Sequence, residues 1–359
     1  MLTTIVATAI VLGILVFVHE FGHFILAKKL GVKILKFSLG FGPKLIGKKI
    51  GETEYQIAVF PLGGFVKPLG EDPQEEISTE EYHRSYWGQP VWKRALIILA
   101  GPFFNFFLAV VLFSSINLLG IPYYPSIIGE VSPGFPAEQA GLKKGDTILS
   151  INGEEVTRWD DLSKIIRSSN GKELLLKVKR DHEISDIHVT PKSSTQKNIF
   201  GEETPVFVIG ITQPDQVLVE KVGPFEAAGT GLSQTWSMIK LTVVSIVKLI
   251  ERVVPAKTIG GPILIAQMAG EQAKRGLASL VLFTAILSIN LGVINLFPIP
   301  ILDGGHILFL SLEAILRKPV SIRKMEIAQQ IGLIFIILLM VFAFYNDLIR
   351  LFSPGGFKF

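Results

Sequence analysis

Residues 17–24 read Phe17-Val18-His19-Glu20-Phe21-Gly22-His23-Phe24, inside a run from Ile5 to Leu26 whose one formally charged residue is Glu20. The run is long enough to cross a bilayer as a single helix. An acid at mid-membrane costs roughly 2.5–3.5 kcal/mol on insertion scales, so ionisable groups in such a helix mark a functional site. Residues four apart on an α-helix differ by about 40° in direction and about 6 Å along the axis. The imidazoles of His19 and His23 therefore face one point, a geometry suited to a metal ion. Glu20 falls on the adjoining face, where it can act as base towards a metal-bound water without being a ligand. On a soluble helix a solvated or capped histidine pair would suffice; in hydrocarbon, three polar groups with nothing to bind would be expensive.

The chain has 359 residues, 49% of them hydrophobic, with a mean hydropathy of +0.47. That balance belongs to a membrane protein with room for a soluble domain. The net charge of +4 is modest, and the basic residues are not interleaved with aromatics as they are on a nucleic-acid surface. Cysteine is absent, which excludes a disulfide framework and thiol chemistry and leaves His, Asp and Glu to hold a metal. The first span lacks a basic n-region and a following small-residue cleavage site, so it is expected to be retained.

Taken in order, the chain divides by composition. Residues 1–30 form the first span. Residues 31–94 carry Lys33, Lys36, Lys44, Lys48, Lys49, Lys67, Arg84, Lys93 and Arg94, and this basic excess, with Lys28 and Lys29 just before it, marks a cytoplasmic loop with the N-terminus outside. Within it Tyr55 to Lys67 alternates like a strand and is broken by Pro61 and Gly63-Gly64, as in a hairpin or membrane-associated β element. Its edge could offer backbone hydrogen bonds to an extended peptide, or be an ordinary small sheet. Residues 95–120 are a second span, in which Asn105 is read as packing between helices rather than chemistry.

Residues 121–220 change character to a soluble α/β module on the outer side, with strands at 127–131 and 173–180, a hairpin at 145–156 with an Asn152-Gly153 turn, and helices at 136–142 and 159–167. Ser193 to Pro205 reads as a polar connector. Residues 221–276 hold an amphipathic helix, Phe225 to Val254, lying on the membrane or against the bundle, and a connector; a further span is the alternative. Residues 277–306 form the third span, ending Asn295-Leu296-Phe297-Pro298-Ile299-Pro300-Ile301-Leu302-Asp303-Gly304-Gly305-His306. Residues 307–330 are a second basic cytoplasmic loop, and 331–359 the fourth span and tail. The fold class is thus a multi-pass α-helical membrane protein of four spans, with a cytoplasmic-side β element and an inserted α/β domain.

A catalytic zinc takes three protein ligands and an open position. Asp303 lies at the same depth as His19 and His23 in this topology, and the helix break at Pro298 and Pro300 is of the kind that lines a cavity. It is the candidate third ligand, with helix capping as the alternative. Glu313 is the rival acid further along. Glu52 and Glu54 lie in a lysine-rich loop. Asn290 and Asn295 are open to helix packing or substrate binding, and His306 to a supporting or helix-start role. His182 and His188 lie in polar surface contexts.

His19-Glu20-Phe21-Gly22-His23 in the first span, and Asn295 to His306 ending the third, together resemble the site-2 protease family of intramembrane zinc metalloproteases, peptidase M50. The run Gly141-Leu142-Lys143-Lys144-Gly145-Asp146 to Gly153 resembles a bacterial PDZ domain. The stretch Phe37 to Pro43 and the Gly63-Gly64 loop are similar to the bacterial branch typified by the regulator-of-sigma-E protease, although the chain has length for one PDZ domain where that branch often carries two. The resemblance implies Zn2+ held by His19, His23 and Asp303, Glu20 as general base, and Asn295 holding the substrate backbone. It implies cleavage of single-span membrane proteins within their transmembrane segments, as in regulated intramembrane proteolysis of anti-sigma factors or remnant signal peptides. A peptide C-terminus or extended segment would bind the PDZ domain, periplasmic, in the bacterial inner membrane, and the bilayer would be a partner but no nucleic acid. A metal transporter and a non-catalytic PDZ scaffold are the competing classes. Transport predicts polar groups spread along several spans, and a scaffold predicts an incomplete motif.

Overall fold

The computed structural model describes residues 1–71 and 77–353, without the side chains of 60–62 and 121. The tail expected at 354–359 lies outside the described residues. Among the described residues, four helices are long and apolar enough to cross a membrane: α1 (Leu2–Lys29), α2 (Val91–Leu119), α7 (Leu277–Asn295) and α9 (Ile322–Phe352). Residues such as Ile10, Ile14, Phe103, Phe107, Leu333, Ile334 and Leu338 are exposed on them. An apolar surface of that extent belongs against lipid.

Between α1 and α2 come β1 (Ile34–Ile50) and β2 (Thr53–Pro68). The two long strands bend back on themselves and make a small sheet of four segments. Lys36 to Leu39 pairs on one side with Lys67 to Gly64, and on the other with Glu54 to Ile57. The latter segment pairs in turn with Lys49 to Ile46, so the 64–67 segment is an edge. The inner end packs Phe37 and Ile34 with Phe24, Ala27 and Val32 of the first helix and its turn. The sequence places the β element correctly at Tyr55 to Lys67 and omits its partner, since β1 carries glycines and lysines rather than clean alternation.

Helices α1 and α2 cross where small residues allow it. A Cβ on Gly22 would lie 2.5 Å from the Ala100 carbonyl oxygen. Such close approach is how helices associate in lipid, where burying apolar surface gives no drive.

The α/β unit spans Asn117–Gly223 with Ile250–Val254. After β3 (Ile121–Tyr123) and α3 (Pro136–Gln139) it builds β4 (Thr147–Ile151), β5 (Glu154–Glu155), α4 (Trp159–Ser168), β6 (Leu174–Arg180) and β7 (Glu183–Val189), in sheet order β5-β4-β6-β7. Asn152 and Gly153 both take positive φ, 51° and 85°, as a two-residue hairpin demands. Alternate residues Leu174, Leu176 and Val178 point into a core with Ile148, Ile151, Leu162 and Ile209. The expected strand at 127–131 is reduced to isolated bridges, Ile127 with Thr147 and Val131 with Ile211. The expected connector is a hairpin, β8 (Lys192–Lys197) with β9 (Glu203–Val208), before the short β10 (Leu218–Glu220) that pairs with β3. Backbone pairing rather than side-chain burial holds this hairpin, so apolar periodicity does not reveal it.

The stretch after the module is α5 (Pro224–Ile250), 27 residues long. Met238, Ile239 and Ile246 pack on Ala109, Phe113, Ala285 and Ile289, and Thr242 donates a hydrogen bond to Asn290 at 2.9 Å. It lies against the bundle. The expected connector to residue 276 contains α6 (Pro262–Arg275), laid on α1 with Ala269 against Ala7. Likewise 277–306 is not one helix. It is α7, a turn, and the start of α8 (Asp303–Leu316), and α9 begins at Ile322, so most of 307–330 is helical.

Candidate metal centre

One face of α1 presents His19, 9% exposed, with Glu20 and His23 beside it. Across from them the α7–α8 turn delivers Asp303. Glycines make that turn possible: a Cβ on Gly304 would lie 2.3 Å from the carbonyl oxygens of Leu296 and Phe297, and one on Gly305 2.3 Å from that of Ile299. Leu302 is extended, so Asp303 begins α8 without a side-chain capping bond.

Nδ1 of His23 donates to the Ile97 carbonyl at 2.8 Å. The Asn105 side-chain nitrogen lies 3.0 Å from Nδ1 of His19 and orients that ring. Asn105 is fully buried, and its side-chain oxygen has no hydrogen-bond partner. The Nε2 atoms of the two histidines face each other at 3.3 Å. Asp303 places Oδ2 at 3.2 Å from Nε2 of His19 and Oδ1 at 3.6 Å from Nε2 of His23. Two ring nitrogens and a carboxylate thus converge, and Oδ2 of Asp303 is buried without a hydrogen-bond partner. A tetrahedral ion bonded at about 2.0–2.2 Å sets neighbouring donors about 3.4 Å apart, so the three observed separations fit one. Among the described residues, His19, His23 and Asp303 are the cluster with metal-ligand spacing.

The cluster opens on a cavity of about 900 Å³ lined by α1, the β2 edge from Gly63 to Pro68, Asn295, α8 and the first turns of α9. Glu20 lies in its wall, with the backbone N–H of Val66 as a hydrogen-bond donor. Asn295, the last residue of α7, lines the cavity and brings its amide nitrogen to 3.4 Å from Nε2 of His19.

The remaining candidates separate cleanly. Glu313 is held by Arg94, Nη2 to Oε1 at 2.6 Å and Nη1 to Oε2 at 3.2 Å, so it is no ligand. His306 lines the cavity but stands outside the donor cluster. Glu52 pairs with Arg84 and Glu54 with Lys44, both at the surface. His182 is exposed, and His188 faces Glu173 at 3.6 Å in the open. Asn290 serves packing through Thr242. Asn105, read from sequence as packing, orients a histidine instead. Its signal was available, a side-chain amide in an apolar span, but its target sits 86 residues away.

The sequence from residue 7 to residue 339 matches the family model described as Peptidase family M50. A Rhizobium meliloti protein named as a zinc metalloprotease is 35% identical over 365 residues, covering 98% of this chain and 97% of that protein. The regulator of sigma-W protease RasP of Bacillus subtilis is 32% identical over 431 residues, 97% of this chain and 99% of that protein. A Campylobacter jejuni protein, also named as a zinc metalloprotease, is 36% identical over 345 residues. The matched span runs from the first helix through the fourth and so contains the whole donor cluster, and the chain belongs to peptidase family M50.

Proposed function

We propose that this protein is a zinc metallopeptidase that hydrolyses peptide bonds within the transmembrane segments of single-span membrane proteins. The observation that carries the reading is the convergence of two imidazole Nε2 atoms and an orphaned carboxylate oxygen on one point, beside an acid, at the wall of a large cavity. His19, His23 and Asp303 hold the ion; when bound, zinc supplies Lewis-acid polarisation of a carbonyl and acidifies water. Glu20 takes a proton from the attacking water and returns it to the leaving nitrogen as the C–N bond breaks, so acid and base roles fall on one carboxyl group. The side-chain amide of Asn295 donates to the substrate backbone next to the scissile bond.

A transmembrane substrate hides its carbonyls in helical hydrogen bonds and must unwind before water can reach them. The 64–67 edge of β2 borders the cavity and can take the unwound segment as an added strand. Asparagine and acid groups meet at one depth instead of marking a path along several helices, which favours hydrolysis over transport. The sequence run Gly141 to Gly153 supports reading the α/β unit as a PDZ domain. Its groove of about 380 Å³ between α4 and β9, lined by Trp159, Leu162, Ile166 and Phe207, suits an apolar peptide end. The basic excess of stretches 28–94 and 317–324 supports a cytoplasmic side for those loops, and with it a periplasmic position for this unit in a bacterial inner membrane.

The test is cleavage of a single-span reporter by purified protein, with bound zinc measured in parallel. Glu20→Gln is expected to abolish cleavage and keep zinc. Equal cleavage by both proteins, or absence of zinc from the wild type, would remove the mechanism.

A further inference from the structure

The partners of both Nδ1 atoms lie on α2, and on one stripe of it: Ile97, Gly101 and Asn105 follow one another at helical spacing. One turn before Ile97 the same stripe carries Arg94. That side chain is 4% exposed, stacks 4.9 Å over the ring of Trp87, donates Nε to the Gln89 carbonyl, and grips Glu313 through two nitrogens. Glu313 is on α8, ten residues beyond Asp303, so the two ends of one short rigid helix carry the metal ligand and the ion pair.

Packing alone does not fix α8. Gly304, Gly305 and Leu310 are its buried residues, while Leu308, Leu312, Ile315 and Leu316 are exposed. Its N-terminal end is located by the close glycine contacts with the α7–α8 turn, and its far end by Arg94. A buried ion pair is weak as a source of stability, because desolvation offsets most of its attraction. Its geometric content is high, since two parallel bonds from a planar guanidinium fix both distance and orientation.

We propose that Arg94 and Glu313 are positioning residues for the metal centre: through α8 they hold Asp303 at the distance set by α2, so that one face of α2 sets all three donors. The inference rests on Asp303 being a ligand, as argued above. Removing a group that orients a ligand typically lowers metal affinity 10- to 100-fold.

The experiment uses the zinc-loaded full chain in detergent and follows zinc transfer to a colorimetric chelator, alongside kcat and KM on a single-span reporter. Arg94→Gln and Glu313→Gln should each speed zinc release about 10-fold and lower kcat more than they raise KM. The double variant should be no worse than either single one, because both remove one linkage. Arg94→Met with Glu313→Leu guards against simple unfolding: an apolar pair is expected to keep or raise Tm, yet zinc should still leave faster. Zinc release that stays at the wild-type rate, or that tracks Tm across the variants, would overturn the proposal. Asp303→Asn separates the two levels. If it releases zinc fast while the pair variants do not, only the positioning role falls; if it holds zinc like the wild type, the ligand assignment falls and this inference with it.

Discussion

A methyl group at residue 101 would sit 2.3 Å from Nε2 of His23 and 2.8 Å from Cε1 of His19, in the space where the two imidazoles meet. Glycine there is a requirement of the donor geometry, because neither ring can retreat without losing its Nδ1 partner, Ile97 or Asn105. Gly101→Ala is therefore expected to lower zinc affinity about 100-fold while the helix forms as well or better, alanine being the stronger helix former. Metal content by mass spectrometry and helicity by circular dichroism, taken together, check this; full zinc occupancy in the variant would contradict it. The histidines and Glu20 could be read directly, since i, i+4 spacing is a property of the chain itself. Gly101 and Asn105 could not be assigned, because the atoms that need them lie on another helix.

At the scale of elements, the β2 edge is joined to the chemistry by one glycine. A Cβ on Gly64 would meet Cγ of Glu20 and Cγ1 of Val16 at 3.1 Å each, and the Ser38 carbonyl oxygen at 2.8 Å. Gly64→Ala must push Glu20 away from the cavity wall or open the sheet. Cleavage should fall about 10- to 100-fold, the usual cost of misplacing a reacting group by a fraction of an ångström or more, with zinc retained because no ligand is touched. Parallel assays of turnover and metal content distinguish this from Gly101→Ala, and loss of zinc would show that the sheet supports the ligands as well. The break at Pro61 to Gly64 announces this element, whereas the doubling of the sheet does not follow from local pattern. Lys36 pairs with both Lys67 and Glu54, contacts between segments distant in sequence. Helix α6 does not stand out in the sequence for a similar reason: its apolar positions gain their meaning from α1, more than 250 residues earlier.

For the molecule as a whole, the α/β unit has its own electrostatic support. Asp146, 1% exposed, accepts two bonds from Arg180 at 2.7 Å and one from the Lys143 N–H at 2.8 Å. Burial pushes its carboxyl up, but the Arg180 and Lys143 bonds prevail and hold it below the ordinary carboxylate value. With the folded pKa depressed, the stabilisation is present above the unfolded value, about 3.9, and is lost as pH falls through the folded one. Arg180→Met should destabilise this unit near neutral pH, and the gap to wild type should close as the pH drops below about 4. Hydrogen exchange of β4 and β6 in the full chain reads this locally. A gap independent of pH would mean that Arg180 acts through packing alone. The metal centre should not respond, because Asp146 and Arg180 belong to a unit that contributes none of its donors.

The sequence by itself determined the solvent and the metal. Four apolar runs of spanning length exclude water as their surroundings, and His19, Glu20 and His23 share one stretch whose helical repeat points them together. It also singled out Asp303, because prolines and glycines at membrane depth break a helix only where a cavity needs backbone. Tertiary structure alone decided which groups hold the imidazoles, the Ile97 carbonyl and the Asn105 side chain. It also decided that Glu313 answers Arg94, and that an edge of β2 lies beside Glu20. Each of these depends on groups from separate elements meeting within about 3 Å, the range over which hydrogen bonds act, and a linear pattern carries no record of distances across a fold.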